Sequence, residues 1–336
     1  MKPEETWIAS MPKIELHCHL DGSIPVKTIR KLAAQQGVPV PESEAELKKA
    51  LSVSDDCRSL KEYLEKFDLV LDCLQTAEAL REAAVDFVAS VAAEQVRYAE
   101  ARFAPLLSAH DDLSALDVVK SVLDGFKQGE VRYGVKTNAI LCAMRHESEE
   151  TNAPLLDIAK AFLGQGVCAV DLAGDEAAFS VLNFKGFFEE ARRLAIPYTI
   201  HAGECGSAQS IRDALSLGAQ RIGHGIAMAQ DNALQALCAE KGIGIEMCPI
   251  SNMQTKAAKN WETYPFLTFF EKGLRVTVNT DNRTVSNTSL TREFAALRDH
   301  YDLSKADILQ LTENALQVAF LSDAEKDDVR QRMSVT

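Results

Sequence analysis

Short runs with strand character alternate along the chain with longer stretches of helical spacing. The runs are Lys13–Leu20, Val96–Phe103, Val135–Met144, Val167–Leu172, Ile196–His201, Arg221–His224, Ile243–Cys248 and Arg275–Asn279. Between them, apolar residues recur at helical spacing in Ala83–Glu94, Ala115–Gln128, Pro154–Leu163, Phe184–Leu194, Gln209–Leu217, Asn232–Glu240 and Tyr264–Glu271. This alternation predicts a parallel sheet with helical crossovers, because parallel neighbours cannot be joined by a tight turn. Eight units predict an α/β fold of the (β/α)8 barrel type. A doubly wound open sheet is the alternative, but no Gly-rich phosphate turn follows the first strand.

The first connection, about Asp21 to Ala93, is far longer than a simple crossover. Leu60, Leu64, Phe67, Leu71 and Leu74 mark one apolar face within it. It predicts extra helices inserted after the first strand, residues 21–93, over the active-site face. Two more helical stretches, Leu303–Asn314 and Ala324–Arg332, close the chain. A length of 336 residues suggests two domains at roughly 150 residues each. No repeat or linker divides the chain, however, and single barrels often exceed about 250 residues. Residues 1–336 are therefore read as one domain.

Composition narrows the partners. The chain has 36 Lys+Arg against 49 Asp+Glu, a net charge of −13. That balance argues against nucleic acid or an anionic membrane as the main partner. No apolar run approaches a membrane span. The N-terminus, with Glu4 and Glu5, lacks an apolar signal core. Eight cysteines are scattered singly without a C-x-x-C, which argues against a disulfide framework or a cysteine zinc cluster. Reduced thiols in a cytoplasmic protein are expected.

Candidate chemistry sits at the C-terminal ends of the expected strands, the catalytic face of a barrel. His17 and His19 end the first strand, and a spacing of two puts both imidazoles on one side of it. His201 ends the fifth, and Glu204 follows past a glycine; a carboxylate there could shuttle a proton beside a metal-bound water. His224 lies between two glycines after the sixth. Asp281 follows the apolar run VTVN, where a carboxylate needs a partner or a metal. Asp281 would otherwise serve as a helix N-cap, Glu204 as a solvated loop acid and His224 as a structural side chain. Taken together, three histidines and one aspartate from strands one, five and eight make an N3O set that suits zinc with a position left for water. His110, His146 and His300 fit no such pattern, although His146 follows strand three closely.

Six strings carry a resemblance. They are MPKIELHCHLDG at Met11–Gly22, DLAGDE at Asp171–Glu176, HAGE at His201–Glu204, GHG at Gly223–Gly225, CPISN at Cys248–Asn252 and NTDN at Asn279–Asn282. In this order they resemble the adenosine deaminases, a family of (β/α)8 metallohydrolases. The resemblance implies one zinc ion per chain, with His17, His19, His201 and Asp281 as ligands. It implies Glu204 as the acid that protonates purine N1, and His224 as the residue that orients or deprotonates the zinc-bound water. His19, Asp21, Gly174 and Asn282 fall on the substrate side, with Asp21 near the ribose and Gly174 a backbone donor to the purine. The family often has two adjacent aspartates where this chain has Asp281-Asn282. The Asn282 amide can donate to purine N7, an acceptor, at any pH.

The implied reaction is deamination of adenosine or 2′-deoxyadenosine in purine salvage. The implied partner is a small purine nucleoside, and the protein is expected to be a monomer or weak homo-oligomer. Adenine as substrate is the alternative, but that branch tends toward Glu at the place of Asp21. AMP deaminases are usually much longer, and no basic phosphate cluster is seen at the site. A catalytically silent purine-binding relative is a further alternative, against which stand Glu204 and all four ligands. Many other amidohydrolases carry a bridging Lys at strand four; VDLAGDE has none, which favours one metal.

Overall fold

Eight parallel strands form the centre of the computed structural model, which describes residues 3–54, 57 and 59–334. They are β1 (Lys13–His19), β2 (Val96–Phe103), β3 (Lys136–Met144), β4 (Val167–Ala173), β5 (Thr199–Ala202), β6 (Arg221–His224), β7 (Gly244–Met247) and β8 (Arg275–Val278). β1 to β4 make one four-stranded sheet and β5 to β8 another. Two seams join them. Val170 N donates to Pro197 O at 3.0 Å. On the other side Asp281 N donates to His17 O at 2.8 Å, and His19 N to Asp281 O at 2.7 Å. The ring of strands closes, as the alternation predicts.

Departures from the expected elements have local causes. β5 starts at Thr199, not Ile196, because Pro197 has no N–H to give a ladder. The apolar face from Leu60 to Leu74 is broken into a helix (Leu60–Leu64), a 3-10 turn (Glu65–Phe67) and a second helix (Asp68–Asp72). Helices Val26–Gln36, Glu44–Leu51, Pro249–Gln254 and Leu290–Tyr301 are additional to those the spacing predicts. The helix expected at Ala83–Glu94 runs Ala77–Ala92, capped by Thr76, whose side chain accepts from Ala79 N. It packs on the helix Ala115–Tyr133 outside the sheet. No helix among the described residues is long and apolar enough to cross a membrane. All eight cysteines are unpaired, and only Cys205 is exposed.

The barrel interior is charged, unlike the usual filling of branched apolar side chains. Alternation along β2 turns Tyr98, Glu100 and Arg102 inward, all fully buried. The Arg102 guanidinium bridges Asp171 Oδ2 and Glu246 Oε2, both at 2.8 Å. Arg221 pairs with Glu100 Oε2 and Glu246 Oε1, both at 2.6 Å. Pairing these charges with one another offsets the cost of burying them. Phe320 covers the N-terminal end of this network, its ring 3.9 Å from the Arg221 guanidinium. Its N–H donates to Glu100 Oε1 at 2.7 Å.

Candidate active site

A cavity of about 340 Å³ opens at the C-terminal ends of the strands. Its polar side carries His19, Asp21, His201, Glu204, His224, Asp281 and Asn282, with Gly174 beside them. Its apolar side is Leu60, Tyr63, Leu64, Phe67 and Leu71 from the connection between β1 and β2. All the candidate site residues reach this cavity except His17, which lies beneath it, fully buried.

Donor atoms of His17, His201, His224 and Asp281 all lie within 4.8 Å of one another. His19 joins them, its Nε2 3.2 Å from His201 Nε2 and 3.5 Å from Asp281 Oδ1. The groups behind the rings distinguish the histidines. His17 Nδ1 donates to Glu246 Oε2 at 2.7 Å, and His201 Nδ1 lies 2.9 Å from Asp171 Oδ2. His17 therefore carries its hydrogen on Nδ1 and turns the Nε2 lone pair toward the cluster, and the carboxylate beside His201 Nδ1 favours the same tautomer there. His17 Nε2 is buried without a hydrogen-bond partner, 3.4 Å from Asp281 Oδ1. Two acceptors face each other there, an arrangement that a cation relieves. His224 is reversed. Its Nδ1 accepts from Asn252 Nδ2 at 2.9 Å, so the neutral ring carries hydrogen on Nε2 and presents a donor. Tyr264 OH fixes the Asn252 amide through its Oδ1 at 3.0 Å.

Backbone geometry delivers two of these side chains. His224 (φ 64°) and Asp281 (φ 57°) occupy the left-handed region, a conformation that costs energy for residues with a Cβ and clusters at functional sites. At Asp281 the same residue forms the seam with β1, so its carboxylate is thrown across the ends of His17 and His19. Ser251 Oγ donates to Asp281 Oδ2 at 2.5 Å. Gly223 makes room: a Cβ there would sit 3.1 Å from both His17 Cε1 and His201 Cα.

The carboxyls differ in their electrostatics. Burial alone would raise Asp281, but the imidazoles of His17, His224 and His19 around it hold it well below the usual range. Burial pushes Glu204 well above it, and the charges of Asp281 and Glu176 add to that. Glu204 Oε2 is 3.6 Å from His224 Nε2. Asp21 is pushed up to about 7, mainly by burial. The pocket thus sets a carboxyl that holds its proton more tightly than usual, Glu204, beside one that holds it less tightly, Asp281.

The adenosine deaminase family model matches residues 12–335. The chain belongs to the adenosine deaminase family. It is 47% identical to an adenosine deaminase of Enterococcus faecalis, over 98% of each chain. Among solved structures, an adenine deaminase of Arthrobacter aurescens aligns with a TM-score of 0.88 at 25% identity, covering 97% of this chain and 98% of that one. An Arabidopsis N6-mAMP deaminase aligns with a TM-score of 0.87 at 26% identity, covering 98% and 100%.

Around the site of this family member lie residues that sequence reasoning passed over. Asp171, Glu246 and Arg102 stand behind the histidines. For Asp171 and Glu246 the signal is a charged residue in an otherwise apolar strand, VCAVDL and IGIEMC. Ser251 and Asn252 fall in the CPISN string, which carries the resemblance but assigns neither residue a role. His146 lines the pocket. His300 instead stacks on Trp261, ring centroids 4.2 Å apart, and His110 Nε2 lies 3.1 Å from Gln75 O.

Proposed function

We propose that this protein catalyses the hydrolytic deamination of adenosine and 2′-deoxyadenosine to inosine and deoxyinosine, releasing ammonia. One observation carries the reading: a buried carboxyl, Glu204, beside a converging set of imidazole and carboxylate donors. Ring nitrogens of His17, His19 and His201 with a carboxylate oxygen of Asp281 fit one zinc ion, and the lone pairs turned inward support that choice. Bound there, zinc supplies a water that ionises near neutral pH.

The chain's own residues account for the rest. Glu204 gives its proton to purine N1, which lets the ring accept electrons as C6 is attacked. His224, presenting Nε2–H, orients the attacking water; its tautomer supports a donor role over that of a base. Buried Asp21 Oδ1 lacks a partner within the protein, which supports a contact from this side chain to a ligand. The apolar wall from Leu60 to Leu71 covers a nucleoside. No Lys or Arg is among the described residues lining the pocket, while Asp68 and Asp175 are, which disfavours a nucleotide phosphate.

Ultraviolet absorbance with adenosine, deoxyadenosine, adenine and AMP side by side tests the reading. The two nucleosides are expected to give the highest kcat/KM; preference for adenine or AMP overturns it. Glu204→Gln is expected to keep its zinc and to lose about 10²- to 10⁴-fold in kcat.

A further inference from the structure

The turn that carries Glu204 is held by a second acid with no part in the reaction proposed above. Asp175 and Glu176 follow β4 directly, and they do different things. Asp175 folds back on its own loop, its Oδ1 accepting from Ala177 N at 3.0 Å and Ala178 N at 3.1 Å. Glu176 reaches across to the loop after β5. Its Oε1 accepts from Gly203 N at 2.6 Å. Its Oε2 accepts from Glu204 N at 3.0 Å, Cys205 N at 3.3 Å and Gly206 N at 3.1 Å. Four successive backbone N–H groups converge on one buried carboxylate, the concave arrangement in which a turn binds an anion. Gly206 permits the approach, since a Cβ there would lie 2.5 Å from Glu176 Oε1. Just before the turn, Arg145 Nη2 donates to His201 O at 2.7 Å. The end of β5 is therefore clamped at His201 by Arg145 and beyond it by Glu176.

We propose that Glu176 is a positioning residue for the proton donor: its carboxylate fixes the turn Gly203–Gly206 so that the Glu204 side chain meets the purine ring. The inference rests on Glu204 being that donor in adenosine deamination. Side-chain reach explains why an internal anion is used here. A turn with four free N–H groups can settle in several ways or bind water, whereas one carboxylate accepting from all four selects a single backbone path. The charge also acts on Glu204 itself, as one of the groups that raise its carboxyl, after burial and the Asp281 charge.

Glu176→Gln tests this, because it preserves size while removing the charge and setting an amide NH2 against the turn's donors. The expected result is a fall in kcat for adenosine of about 10- to 100-fold, within what a general acid contributes, at unchanged zinc content. Removing a nearby negative charge makes the Glu204 proton easier to lose, so the alkaline limb of the kcat profile moves to lower pH. Glu176→Asp keeps the charge and recovers part of the rate. Backbone hydrogen exchange at 204–206 in metal-free protein, a readout independent of turnover, is faster in Glu176→Gln than in wild type. If Glu176→Gln does not fold, Gly206→Ala displaces the carboxylate with its charge retained and lowers kcat. An unchanged kcat in the folded variant overturns the proposal. So does a loss that tracks melting temperature or zinc content with the alkaline limb unmoved. Given an active wild type and an inactive Glu204→Gln, an unaltered Glu176→Gln removes this inference alone. A fully active Glu204→Gln removes the donor reading, and this one with it.

Discussion

On one wall of the pocket, four of the candidate side chains are each set against another from elsewhere in the chain. Glu246 backs His17, Asp171 faces His201, Asn252 holds His224, and Ser251 bonds Asp281. The two carboxylates behind the rings share Arg102. On the facing wall, Leu60, Leu64, Phe67 and Leu71 offer apolar surface on two short helices and a 3-10 turn. Its named polar anchor is Tyr63, whose OH lies 2.6 Å from Ser286 Oγ. The difference follows from the forces each wall uses. Hydrogen bonds and ion pairs are directional, so a wall that must aim lone pairs and protons needs a second layer to fix each ring. Apolar contact is non-directional, so a wall that covers a ligand can be built from short pieces.

The comparison can be broken most severely on the polar wall. His201→Ala is expected to cut bound zinc from about one ion per chain to near zero by atomic absorption. Adenosine kcat/KM should fall about 10⁴-fold or more, the loss of both water activation and its orientation. Normal zinc content in this variant would remove His201 from the ligand set.

Arg102→Met tests the layer behind the ligands without touching them. It leaves Asp171 and Glu246 buried without their shared cation, which costs about 3–5 kcal/mol and several degrees of melting temperature. Chelator competition should show zinc held about 10- to 100-fold more weakly. Unaltered zinc affinity would mean that the rings keep their aim without this pairing.

Phe67→Ala carries the smallest expected effect and probes the apolar wall. Losing a ring that the ligand would cover costs about 1–2 kcal/mol of ligand contact, seen as a KM for adenosine raised about 5- to 30-fold. Zinc content and kcat should stay near wild type. A variant that loses kcat instead would show that this wall, too, aims the chemistry.

Much of the fold was legible because strand and helix differ in period. The spacing located all eight strands and put His17 and His19 on one side of the first. It failed where tertiary contacts decide. Val26–Gln36 and Leu290–Tyr301 are helices that the spacing did not single out. Pro197 shortens β5 because a missing N–H matters only once a neighbouring strand asks for it. Arg102, Asp171 and Glu246 were visible as letters but not as a network. Asp171 and Glu246 are isolated charges in apolar runs, Arg102 is one of three charges in β2, and what each pairs with lies on another strand.

By itself the sequence determined the barrel, the order of its strands, and the short list of histidines and acids that could do chemistry, because periodicity and spacing are local properties. Only the tertiary structure decided what each member of that list can do. Whether an imidazole offers a lone pair or a hydrogen depends on the group placed behind it. Carboxylates from β4 and β7 make His201 and His17 acceptors toward the centre, and an amide after β7 makes His224 a donor. Asp175 and Glu176 are adjacent acids, alike as letters. One caps its own loop and the other holds a turn on the next strand, because closing the barrel brought four N–H groups within reach of only one of them.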